Sequence, residues 1–127
     1  MGDAVEPETD ADGITTIATP MSLEALAAMA EARFGNLVKA VVDIARDVMV
    51  LGAEMHADEE ALLLEEGSRQ ADLWGIDLYP DRFGTPDFIE FDSMINLRPS
   101  QGNRSRSVED PEARRAVTAV VARLIKP

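Results

Sequence analysis

Apolar residues at Leu23, Leu26, Ala27, Ala30 and Phe34 recur at helical spacing, one stripe that predicts a helix from Ser22 to Arg33. Ser22, just after Pro20, can cap its first turn, and Gly35 supplies a left-handed stop. The pattern from 37 to 51 supports two readings. At period 3.6, Leu37, Val41, Ile44, Ala45, Val48 and Leu51 form a helix face. As strands, VKAVVDI and VMVLGA are rich in β-branched residues and flank Ala-Arg-Asp, a short hairpin loop in which Asp47 can adopt positive φ. The hairpin is preferred, because valines at 38, 41 and 42 lose side-chain freedom in a helix and suit a sheet.

A second helix is expected over Asp58–Glu66, with Asp58 as cap, Leu62–Leu64 as its buried side and Gly67 as its end. Two alternating segments follow, LWGIDLY (73–79) and FIEFDSMINL (88–97), and both read as strands joined by an irregular loop. The last helix starts at Pro111, capped by Glu109 or Asp110, with Ala113, Val117, Val120, Val121 and Leu124 facing inward. The order α-β-β-α-β-β-α implies an α+β domain over 19–127: a four-stranded, largely antiparallel sheet with helices packed on one face. If 37–51 were helical, the fold would be mainly helical with a two-stranded ribbon. Residues 1–18, with five acids and no base in the first twelve positions, read as a disordered acidic leader with room for a brief strand at 14–18.

Composition narrows the function classes. The 127-residue chain is one domain's worth, with the apolar and charged content of an ordinary globular protein. No apolar run is long enough to span a membrane, and the acidic N-terminus lacks the order of a secretory signal. Zero cysteines exclude disulfides, thiolate catalysis and zinc ribbons, and a cytoplasmic setting is the expectation. The net charge of −12 divides unevenly: residues 98–127 carry +4 and the first 97 carry −16. Such a chain is repelled by nucleic acid and anionic membranes unless its seven C-terminal basic residues share one face.

Three polar groups of residues can carry chemistry. The first surrounds the single histidine, where His56 and Asp58 lie beside Glu54, Glu59 and Glu60. Imidazole with carboxylate can act as base or ligand, but no dedicated metal-binding spacing is present, so no metal site is assigned. The second is Asp77 on one strand with Glu90, Asp92, Asn96 and Arg98 on the next, which period 2 places on one side. It fits a polar ligand or a solvated sheet face. The third is the loop 98–107, where Arg98, Asn103, Arg104 and Arg106 fit either an anion grip or a structured surface loop. Trp74 could stack on a ligand, though its strand position suits the core.

The runs HADEE followed by EEGS, DLWGIDLYP and INLRPSQGNRSR resemble a family of small, mainly bacterial proteins known only as a domain of unknown function. The likeness covers about 22–126. It implies a free-standing cytoplasmic domain and brings no activity, cofactor or catalytic residue. Where the family strand typically reads WGINLYP, this chain has Asp77 in place of Asn, which adds a charge beside the carboxylate strand and slightly weakens the case for essential chemistry at Asp77. The leading expectation is a non-enzymatic binding or interaction module that engages a protein partner or its own copy, with a small anionic ligand as a further option. The alternative is a small metal-assisted hydrolase or phosphate-handling enzyme. In it His56, Asp58, Glu90 and Asp92 hold Mg²⁺ or supply a base, and Arg98, Arg104 and Arg106 grip phosphate.

Overall fold

The structure, a computed structural model, describes residues 13–127 and the backbone of Glu8 and Thr9. Most of the expected leader lies outside the described residues. The sheet nevertheless reaches into it: β1 (Glu8–Thr9) pairs with β2 (Thr15–Ile17), and Ile17 is fully buried. Next come β3 (Met21–Ser22), α1 (Leu23–Arg33), β4 (Val38–Asp43) and β5 (Val48–Leu51). They are followed by α2 (His56–Glu65), β6 (Leu73–Leu78), β7 (Ile89–Glu90), α3 (Pro111–Leu124) and β8 (Ile125–Lys126). The main sheet is antiparallel in the order β1-β2-β5-β4-β6-β7, and β3 and β8 form a small parallel pair. The molecule is thus an α+β domain. No helix among the described residues is long and apolar enough to cross a membrane.

The hairpin reading of 37–51 is the one that forms. Asp43 Oδ1 accepts hydrogen bonds from the N–H groups of Ala45 (2.9 Å) and Arg46 (3.0 Å), and Asp47 adopts φ 60°. A helix would have buried a single stripe, whereas Ala40 and Val42 face one core and Val41 and Val50 the other. α1 and α3 form as expected, capped by the side chains of Ser22 and Asp110.

Besides a main sheet of six strands in place of four, three details differ from the pattern. First, the helices do not all share a face. α1 and α3 cover the larger core, but Val41, Val50 and Leu73 on the opposite face also need cover, and Leu63 of α2 supplies it. Second, α2 begins at His56, so Asp58 lies inside its first turn rather than at its cap. Burial of His56, Glu59 and Leu63 on one face sets that start, with no side-chain cap at Met55. Third, the strand expected at 88–97 pairs only at Ile89–Glu90.

The chain then leaves the sheet plane and folds across β6 at Gly75. A β-carbon there would lie 2.6 Å from Ser93, so glycine permits this approach. Asn96 takes the place of the missing strand. Its amide accepts from Gly75 N–H (2.8 Å) and donates to Gly75 C=O (2.9 Å), as a paired backbone would.

Candidate functional site

The sheet register builds the site. Lys39 of β4 lies opposite Asp77 of β6, and Asp77 lies opposite Glu90 of β7, so three charged residues form one row across the face that α2 covers. The excursion after Phe91 adds Asp92. One carboxylate oxygen from each of Asp77, Glu90 and Asp92 lies within 4.8 Å of the others. A different polar side chain stands beside each carboxylate. His56 Nε2 sits 3.3 Å from Asp77 Oδ1, Tyr79 O–H donates to Glu90 Oε1 at 2.9 Å, and Arg106 Nε donates to Asp92 Oδ1 at 2.7 Å.

His56 Nε2 also lies 2.8 Å from the carbonyl of Ile76. A carbonyl only accepts, so Nε2 carries the hydrogen and offers no lone pair to a cation. Asp77 is 7% exposed, and its Oδ1 makes no hydrogen bond among the described residues. The bond from Tyr79 pulls Glu90 down, but burial and the neighbouring Asp77 and Asp92 outweigh it and hold its carboxyl above the usual range. Burial, with the bond to Glu90, pushes the Tyr79 phenol up to about 12. Beneath the row, Glu59 is completely buried. Its Oε2 accepts from Ala53 N–H (2.9 Å), its Oε1 is unpaired, and burial drives its carboxyl well above the carboxylate range.

Beside the carboxylates is a pocket of about 160 Å³, lined by Lys39, His56, Asp77, Asp92 and Arg106 among others. Two methionines form its apolar lip: Met55 and Met94 are 57% and 62% exposed. A larger apolar groove of about 490 Å³ runs between the 83–91 segment and α3. Alternation along 89–92 separates the two sites, with Ile89 and Phe91 lining the groove while Glu90 and Asp92 join the acidic cluster.

The structure therefore gathers His56, Asp77, Glu90, Asp92 and Arg106, but not the other candidates. Asp58 is exposed and borders a different depression near Arg33 and Glu54, so Asp77 occupies the position expected for it. Asn96 and Asn103 are buried and hold backbone together. The Asn103 amide donates to the carbonyls of Asn96, Ser105 and Ser107 and accepts from Glu109 N–H. The three arginines do not converge. Arg98 stacks on Trp74 with its guanidinium carbon 4.3 Å from the ring centroid, and it donates to the carbonyls of Gln70 and Leu73. Arg104 is exposed, and Arg106 pairs with Asp92. Trp74 packs in the larger core.

Sequence reasoning missed Lys39 and Tyr79, and placed Glu59 beside His56 without giving it a role. Glu59 was detectable, since it falls three residues after His56 and four before Leu63, on the inner face of α2. The register that aligns Lys39 with Asp77 has no local signature.

Residues 15–124 match the model of a family described as "Protein of unknown function (DUF5674)", and the chain belongs to that family. No curated protein and no solved structure matches it.

Proposed function

We propose that this member of the DUF5674 family is a binding domain whose site holds a hard divalent cation on Asp77, Glu90 and Asp92. The observation that carries this reading is the convergence of three carboxylate oxygens within 4.8 Å, with Glu90 held by Tyr79 and Asp92 by Arg106. Oxygens bound to one Mg²⁺ or Ca²⁺ at roughly 2.0–2.6 Å are at most about 4.0–5.2 Å apart, so the spacing suits such an ion after small side-chain adjustment. Asp77 Oδ1 adds support: it is buried, lies 3.3 Å from His56 Nε2 and makes no hydrogen bond among the described residues, and a buried carboxylate oxygen without one is costly unless a cation meets it. An all-oxygen donor set favours Mg²⁺, Mn²⁺ or Ca²⁺ over softer metals. In the cytoplasmic setting that the composition suggests, Mg²⁺ is the natural occupant.

Thermal unfolding with Mn²⁺ tests this. The wild-type midpoint is expected to rise with added Mn²⁺, with about 2.7 kcal/mol gained at a hundredfold excess over the dissociation constant. Asp92→Ala should abolish the rise. Asp77→Asn keeps an oxygen in place and should lose less. A wild-type midpoint unmoved by millimolar Mn²⁺, Mg²⁺ or Ca²⁺ contradicts the proposal.

One observation favours a second reading, association with another copy of this chain. The apolar groove is lined by Phe83, Phe88, Ile89, Phe91, Val121 and Ile125, with Lys126 in its lining and Arg114 stacked over Phe91. The basic rim of one copy would attract the acidic body of another. Sedimentation equilibrium decides it: a concentration-dependent dimer lost in Phe91→Asp supports it, and a monomer at every concentration contradicts it.

A further inference from the structure

Building on the cation site proposed above, we infer that the adjoining pocket takes the phosphate group of a small organic phosphate. The phosphate seats between the cation and Arg106, and the organic part lies on the methionine lip. Three features of the pocket lead there.

The first is the unused half of Arg106. Its Nε is committed to Asp92, while its two terminal nitrogens make no hydrogen bond among the described residues, and the side chain is 54% exposed at the pocket. A guanidinium anchored through Nε presents its remaining N–H groups in a fixed fork that matches phosphate oxygens. Lys39 also lines the pocket, with its ammonium 5.4 Å from the Phe34 ring centroid.

The second is the order that the charges impose. Asp77, Glu90 and Asp92 repel an anion when no cation is bound, whereas a divalent ion reverses the local sign and offers its open positions. Mg²⁺-type ions held by a few carboxylates usually complete their coordination with water and phosphate oxygens. Phosphate binding should therefore depend on the cation.

The third is size and lining. About 160 Å³ is room for one phosphate group beside the ion, and the pocket is open to solvent at its mouth. The organic part must then lie outside. Met55 and Met94 offer an exposed, adaptable apolar surface at that mouth.

Calorimetric titrations of the full chain test the inference with inorganic phosphate, phenyl phosphate and benzoate, each with and without saturating Mn²⁺. Phenyl phosphate is expected to bind the Mn²⁺-loaded protein at least about tenfold more tightly than the metal-free protein, and more tightly than inorganic phosphate or benzoate. With Mn²⁺ kept saturating for each protein, Arg106→Gln should weaken phenyl phosphate about tenfold or more, beyond the loss of Mn²⁺ affinity that follows from releasing Asp92. Met94→Ser should erase the preference for phenyl phosphate over inorganic phosphate. Normal Mn²⁺ binding with no phosphate response, an unaffected Arg106→Gln variant, or equal binding of benzoate overturns the inference and leaves the cation site standing. Failure of Mn²⁺ itself to bind removes the cation site first and this inference with it.

Discussion

Glu59 sets the clearest expectation for a single residue. Its carboxyl sits above the usual range because burial penalises its charged form, and Asp77 nearby adds to this. The folded state therefore keeps a proton that the unfolded state releases as pH rises past about 4.5. Stability falls through that window by at most about 1.4 kcal/mol per pH unit, until Glu59 itself ionises. Glu59→Gln keeps the shape and removes the proton, so urea denaturation across pH 5–8 without divalent ions should show a smaller downward slope than wild type. Equal slopes contradict this assignment. Asn96 gives a second expectation. Its amide makes three hydrogen bonds, to Gly75 N–H, Gly75 C=O and the carbonyl of Arg106. Asn96→Ala should cost about 2–4 kcal/mol in urea denaturation, because each backbone group left unpaired carries a penalty of roughly 1–3 kcal/mol. The sequence alone named His56, Asp77, Glu90, Asp92 and Arg106 as polar candidates, but polarity does not separate ligand-facing from structural use. Asn96 and Asn103 look as functional on paper as Asp92, and their burial decides otherwise.

At the level of elements, the helices and the central hairpin are legible because local chemistry encodes them. Ser22 and Asp110 cap, Gly35 and Gly67 stop, and Asp43 with Asp47 closes the hairpin. The strand expected at 88–97 was misread because alternation continues in the sequence after pairing has ended. What diverts the chain is non-local: Gly75, about twenty residues earlier, leaves the space into which Ser93 packs. Gly75→Ala tests that link. Its β-carbon would require the 93–96 segment to move, so a loss of about 1–3 kcal/mol is expected. Because Asp92 rides on the same segment, Mn²⁺ affinity should fall as well, although residue 75 touches no ion. Unchanged Mn²⁺ affinity in a well-folded Gly75→Ala variant would show that the segment does not position the site.

Over the whole molecule, part of the C-terminal basic charge legible in the sequence is used within the fold. Arg106 meets Asp92, Arg115 meets Glu112 at 3.5 Å, and Arg123 meets Asp47 at 2.7 Å, so these basic residues are spread among acids. The remaining excess of acid gives a net charge of −12, which salt of any kind will screen. Site binding is separable from screening, since MnCl₂ should stabilise the protein beyond NaCl at matched ionic strength, and Asp92→Ala should remove only that extra part. The most direct measurement of the central claim is a calorimetric titration of Mn²⁺ into the metal-free full chain, wild type beside Asp92→Ala. The expected result is one saturable site per chain, weakened at least about tenfold by the substitution, the low end of what outer hydrogen-bond partners alone contribute at metal sites. Heat of dilution only, or identical isotherms for the two proteins, would contradict it.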